Sequence, residues 1–289
     1  VTAIGKGIWR LAHGRSLELG EKGWLMAIVN VTPDSFSDGG DHETAARAID
    51  HALACVEEGA VIIDIGGEST RPGAAPVTEE AEKARVLPVI AALAKRSDIL
   101  ISIDTYRAGT ALAAIEAGAH IINDVWAAQR EPEIADVAAR TGAGLCLMHS
   151  GRERQKLDDV IADQRFFLKR SLAICDAAGV PRDTIVLDPG FGFAKETADE
   201  NFALMARFEE LASFGLPLLA GTSRKRFLGT ATGRDARDRD VATAATTAIL
   251  RLMGASLFRV HNVAINRDAL AVADAMLAAR HKPGAEHGA

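Results

Sequence analysis

ISIDT, residues 101–105, is a β-branched run that closes on a carboxylate. Alternation puts Leu100, Ser102 and Asp104 on one face and Ile101 and Ile103 on the other, so an apolar strand delivers one acid to its C-terminal end. The same grammar recurs along the chain. It gives Asn30, Asp64, Asn123 with Asp124, Met148 with His149, Asp188, then Ser223, Arg224 and Lys225, and finally Arg259 and His261. Taken singly these residues have ordinary explanations, since an Asp or Asn at a strand end commonly caps the next helix and a lone Lys or Arg is commonly a surface charge. Together they describe two chemistries. Arg259 and His261 share a face beside Lys225, and guanidinium suits phosphate or carboxylate oxygens. Asp104, Asn123 and Asp188 supply acceptors and one amide, which a planar heterocycle bearing an amino group and ring N–H donors would satisfy. HExxH, GxGxxG and Walker patterns are missing from the sequence. A metal, if one acts, is then a magnesium ion shared between an Asn or Asp and phosphate oxygens.

The elements that must position these residues follow from punctuation. Glycine precedes each new apolar run at Gly59, Gly118, Gly142, Gly179, Gly215 and Gly254, the expected stop of a helix feeding a strand. Strands are predicted at 25–31, 61–66, 99–105, 120–125, 144–149, 184–189, 217–221 and 256–261, with helical patterns such as Ala45, Ile49, Leu53 and Val56 between them. Eight strands alternating with helices predict an α/β fold of the (β/α)8 TIM-barrel kind, in which ligands sit at the C-terminal strand ends. The expected layout is an N-terminal hairpin over 1–23 closing the barrel bottom, the barrel over 24–280, and a disordered tail over 281–289. Two connections are long for this architecture, 32–41 (TPDSFSDGGD) and 66–78 (GGESTRPGAAPVT). Both leave the catalytic ends of strands and are read as lids over the site.

Composition narrows the possibilities further. With 48% hydrophobic and 25% charged residues, the 289-residue chain is that of one folded domain. A net charge of −6 without a basic, aromatic-interleaved stripe argues against nucleic acid, and no apolar run nears the ~18 residues of a membrane span. A cytoplasmic location is expected, with Cys55, Cys146 and Cys175 as buried free thiols.

Longer motifs make a resemblance specific. MAIVNVTPDSFSDGG (26–40), IIDIGGESTRPGA (62–74), ISIDT (101–105), HIINDV (120–125), LDPGFGF (187–193), GTSRK (221–225) and RVHNV (259–263) resemble, in order and over nearly the whole chain, the dihydropteroate synthases of folate biosynthesis. The resemblance implies a barrel enzyme, usually a homodimer, that joins p-aminobenzoate to hydroxymethyl-dihydropterin diphosphate and releases pyrophosphate. It implies that Asp104, Asn123, Asp188 and Lys225 hold the pterin with Met148 near its ring, and that Asn30, Arg259 and His261 handle the diphosphate and its magnesium. It further implies that Thr70, Arg71, Phe193 and Ser223 meet p-aminobenzoate, with Asp38 on the first lid. Catalysis would then rest on Asp104, Lys225, Arg259 and His261, through a pterin cation. Three positions depart from the pattern: Ala194 stands where glycine is common, Asn262 where Asp is frequent and Ser150 where Met is frequent. Two other readings stay open at this point. One is a barrel that moves a methyl group from methyltetrahydrofolate to a corrinoid protein, and the other is a non-catalytic pterin-binding paralogue.

Overall fold

The computed structural model describes residues 7–32, 41–69 and 76–280, with backbone alone at 41 and 42. Eight strands run parallel in the order β8-β7-β6-β5-β4-β3-β10-β9. They are β3 (Trp24–Asn30), β4 (Ile62–Gly66), β5 (Leu100–Asp104), β6 (Ile121–Asp124), β7 (Gly144–Met148), β8 (Ile185–Asp188), β9 (Leu219–Ala220) and β10 (Leu257–Val260). A parallel bridge between Leu187 and Leu218 joins the first and last of these, which closes the barrel. Each predicted strand is present: β3 keeps its length but starts one residue earlier, and the other seven are shortened by one to three residues. Outside lie α1 (Asp41–Glu58), α2 (Glu79–Arg96), α3 (Ala108–Glu116), α4 (Glu133–Thr141), α5 (Val160–Ala178), α6 (Ala198–Ala206), α7 (Arg226–Thr232), α8 (Asp240–Leu252) and α9 (Val263–Arg280).

Local chemistry fixes where these helices begin and end. The Thr78 side chain caps α2 by accepting from Ala81 N–H, with Glu79, Glu80 and Glu82 in the first turn where the helix dipole favours acids. Asp159 caps α5 through Ile161 and Ala162 N–H. Gly142 and Gly179 close α4 and α5 in the left-handed conformation, as the glycine punctuation predicts.

Strand alternation divides the core in two. Outward residues such as Ile63, Ile65, Ile101, Ile103, Leu145 and Leu147 pack beneath the helices. Inward residues at the strand starts, Met26, Ile62, Leu100, Ile121, Cys146, Val186, Leu219 and Leu257, form a separate apolar layer inside the barrel. An antiparallel hairpin of β1 (Gly7–Arg10) and β2 (Ser16–Leu19) covers that layer with Trp9, Leu11, Leu17 and Leu19. Trp9 is 1% exposed, and its indole N–H donates to the Thr184 carbonyl at 2.8 Å. Gly144 faces this plug, where a side chain would collide with Leu11 and Trp9. The bottom of the barrel is therefore filled with apolar side chains, which leaves the top for chemistry. Cys55, Cys146 and Cys175 are buried free thiols.

Candidate active site

Above the apolar layer the inward stripe turns polar on most strands. Asp64, Ser102, Asn123, Asp188 and Arg259 lie two residues past it, with Met148, and Asn30, Asp104 and His261 lie four residues past it, as the alternation requires. At the centre is Arg259. Its Nε donates to Asp64 Oδ2 and its Nη2 to Asp104 Oδ2, each at 2.6 Å. Asn123 Nδ2 donates to the same Asp64 oxygen at 3.0 Å. Asp64 is fully buried and Asp104 is 8% exposed, so one guanidinium balances two carboxylates away from water. Burial pushes Asp104 up, to about 7, with Arg259 opposing the rise and Asp64 adding to it. The remaining oxygens, Asp64 Oδ1 and Asp104 Oδ1, and the Ser102 hydroxyl have no partner among the described residues. Three inward polar atoms on neighbouring strands, buried and without a partner among the described residues, mark a cradle for a donor-bearing ligand.

The second half of the rim is cationic. Asp188 accepts from Gly190 N–H at 2.7 Å and is raised by burial, against the charges of Lys225 and Arg259. A side chain at Gly221 would rest against both Asp188 Oδ2 and Arg259 Cβ, which shows how closely these two face each other. Lys225 is lowered to about 7 by burial and then by Arg259, and its Nζ lies 4.0 Å from the centre of the Phe193 ring. Arg152 lies on the same ring at 4.8 Å. Ser223 joins the cluster through His261, with Oγ 2.9 Å from Nδ1 and accepting the His261 N–H at 3.1 Å. Asn30 stands close to Gly66 and Asp104 at the tips of β3, β4 and β5.

Asn30, Asp104, Asn123, Met148, Asp188, Phe193, Ser223, Lys225, Arg259 and His261 thus come together at one end of the barrel. Asp38, Thr70 and Arg71 lie outside the described residues. The stems of the loop that carries Thr70 and Arg71 are nonetheless held: Arg107 donates to Glu68 at 2.5 Å, to Glu82 at 2.9 Å and to the Val77 carbonyl at 2.6 Å. Three strand-tip residues turn away from the mouth. Asp124 spends both oxygens on Trp126 and Ala128 N–H, at 2.8 and 2.6 Å, and so holds a turn. Arg224, at φ +56°, forms a two-point ion pair with Asp240 that Asn262 extends. His149, 1% exposed, faces Asp163. Ala194 adopts φ +51°, the left-handed conformation that suits glycine, and its carbonyl accepts from Lys156 Nζ at 2.7 Å.

The sequence puts Asp64 among the strand tips and assigns it no role. The structure makes it the residue that aims both Arg259 and Asn123, and its shared parity with Asp104 and Asn123 was the available signal. Arg152 and Lys195 went unnoticed because they lie on loops, where no periodicity marks a direction. Arg259 also departs from the expected division into an acidic side and a cationic side. It has no place on the far rim alone, because its head sits between Asp64 and Asp104, where its charge is needed to bury them.

The chain is similar to known proteins over most of its length. Residues 26–261 match the family described as pterin binding enzyme. A dihydropteroate synthase of Bacillus subtilis is 44% identical over 273 residues, 94% of each chain, and one of Escherichia coli is 42% identical over 275 residues, 93% of this chain and 96% of that one. Among solved structures, Xanthomonas albilineans dihydropteroate synthase with 4-aminobenzoic acid superposes with a TM-score of 0.87 at 41% identity, covering 95% of this chain and 99% of that one. The same enzyme in complex with 7,8-dihydropteroate gives a TM-score of 0.84 at 40% identity, covering 95% and 100%. The chain belongs to the pterin-binding enzyme family and, within it, to the dihydropteroate synthases.

Proposed function

We propose that the chain condenses p-aminobenzoate with 6-hydroxymethyl-7,8-dihydropterin diphosphate, giving 7,8-dihydropteroate and pyrophosphate. The observation that carries this reading is the Asp64–Arg259–Asp104 bridge with its two unpaired buried oxygens. A flat base with amino and ring N–H donors supplies the missing partners, and the amide of Asn123 and the carboxylate of Asp188 extend the same cradle. Met148, 3% exposed, gives the ring an apolar neighbour. Lys225 lies over the Phe193 ring, which supports an aryl substrate on that side of the pterin; Ser223, Thr70 and Arg71 would meet it, with Asp38 on the first lid, as the resemblance implies. Arg259 and His261 take the diphosphate.

The C–O bond to the diphosphate breaks first, and the exocyclic methylene becomes a cation spread into the pterin ring. Asp104 faces that developing charge at close range in a site of low polarity, where a fixed carboxylate stabilises it far more than water could. The aniline nitrogen, neutral at ordinary pH, forms the new C–N bond and sheds its proton to pyrophosphate or solvent. No strong general base is required, which accounts for the lack of a catalytic dyad in the sequence. Magnesium fits as an ion carried in with the diphosphate: Asn30 offers one amide oxygen, and the described residues contain no cluster of three His, Cys, Asp or Glu side chains able to hold a metal unaided. Asn30 would help hold it, and it would neutralise charge on the leaving group.

A methyl-transferring pterin barrel would share the acidic cradle but has no use for the Lys225, Arg259 and His261 cations, so the synthase is favoured. We place it in the cytoplasm as a homodimer. Three buried cysteines, none of them paired in a disulfide, support the first. The second is supported by exposed apolar residues on the adjacent helices α8 and α9, Val241, Ile249, Val272 and Met276. Among the described residues no helix is long and apolar enough to cross a membrane. The deciding experiment supplies p-aminobenzoate, the pterin diphosphate and magnesium to the purified chain. Dihydropteroate and pyrophosphate in equal amounts are expected, and binding of both substrates without product would favour the non-catalytic paralogue.

A further inference from the structure

Beneath the rim lies a buried lysine that the reaction does not use. Lys195 is 5% exposed, and its Nζ donates to the Gly190 carbonyl at 2.8 Å and to His149 Nδ1 at 3.1 Å. Nδ1 accepts from Lys195, and Nε2 lies 3.0 Å from Asp163 Oδ2 and 2.9 Å from Arg154 Nη2. Burial and the charge of Lys195 hold His149 down, at about 3, so it stays neutral. Gly190 is the hinge of the adjoining loop. It sits at φ +64°, and any side chain there would overlap the His149 carbonyl. Its N–H orients Asp188, and its carbonyl accepts from Phe193 N–H at 3.1 Å, which closes the turn that brings Phe193 over Lys225. The ammonium of Lys195 therefore lands on the one oxygen that defines this turn.

We propose that Lys195 is a positioning residue for both substrate pockets, stapling the 190–193 turn to the end of β7 so that Asp188 faces the pterin and Phe193 faces the aryl substrate. This rests on the synthase reading above. The charges around Lys195 are Asp188 at the end of β8, Asp163 on α5, Glu200 on α6 and Lys225 after β9, with neutral His149 at the end of β7. Burial outweighs the three acids and holds Lys195 down, at about 7, so the charge-assisted staple is present below that pH and is weakened to the bonds of a neutral amine as pH rises through it. Lys225 titrates in the same range, so the wild-type profile alone does not isolate the staple.

The test compares wild type with Lys195→Met in KM for each substrate, in kcat and in the pH dependence of both. At pH 6 the variant should raise both KM values roughly tenfold or more, the range seen when outer partners of a bound group are removed. It should also lose the part of the rise in KM above pH 7 that belongs to Lys195. A folded variant with wild-type KM values and a wild-type pH profile overturns the proposal. Should the variant not fold, hydrogen exchange of the wild-type protein decides without any turnover. Exchange at the Phe193 amide should quicken across pH 7 beyond the base-catalysed rise common to all amides, and a merely common rise overturns the proposal. A wild-type protein that makes no dihydropteroate contradicts the synthase reading instead, while the exchange result still judges the staple.

Discussion

Arg259 is asked to do two things at once. Its guanidinium makes burial of Asp64 and Asp104 tolerable, and its charge is available to the departing diphosphate only in so far as those carboxylates leave it unspent. Lys225 has a different position, since its ammonium faces the Phe193 ring and Asp188 rather than a dedicated ion pair. Lys225→Ala should therefore weaken pterin binding by about 1.5–3 kcal/mol, roughly ten- to a hundredfold, the range for a lost hydrogen bond to a charged group. Calorimetric titration checks this, and unchanged affinity removes Lys225 from the pocket. Direction at this scale was open to sequence reasoning wherever a strand fixed it. Asp104, Asn123, Asp188, Arg259 and His261 all follow from a period of two. Partnership was not open to it: nothing in the order of residues says that Asp64 and Asp104 share one guanidinium, or that Arg224 turns to Asp240 while its neighbour Lys225 turns inward.

At the scale of elements, the eight strands and the glycine stops between them were legible because both rest on local rules, alternation and the left-handed cap. The loops were legible only as long connections on the catalytic face. What holds them comes from far along the chain, and Arg107 shows how. From the start of α3 it reaches Glu68 and the Val77 carbonyl, on either side of residues 70–75, while Glu82 on α2 and the Tyr106 hydroxyl complete its shell. Glu82 is 1% exposed and also accepts from Thr110. Replacing Arg107 leaves a buried carboxylate uncompensated, so Arg107→Leu should cost about 3–5 kcal/mol in stability. It should also raise KM for p-aminobenzoate more than KM for the pterin, because the freed stems carry Thr70 and Arg71. Urea unfolding together with steady-state kinetics measures both, and a variant of wild-type stability contradicts the role given to the Arg107–Glu82 pair.

Over the whole molecule, the barrel separates stability from chemistry along its axis. The lower interior is apolar and plugged by the hairpin, and the upper interior is polar. Trp9→Ala should lose about 3–5 kcal/mol by emptying the plug, yet leave kcat/KM unchanged well below the melting temperature. A loss of activity in the folded variant would deny that separation. In the reaction proposed for the top, a carboxylate fixed by Arg259 stabilises positive charge on the pterin as pyrophosphate departs. Asp104→Asn tests it most directly, with turnover and pterin affinity measured on the same preparation. Turnover should fall by at least about a hundredfold while the pterin still binds, because the lost interaction belongs to the transition state; near-normal turnover in that variant would contradict the account.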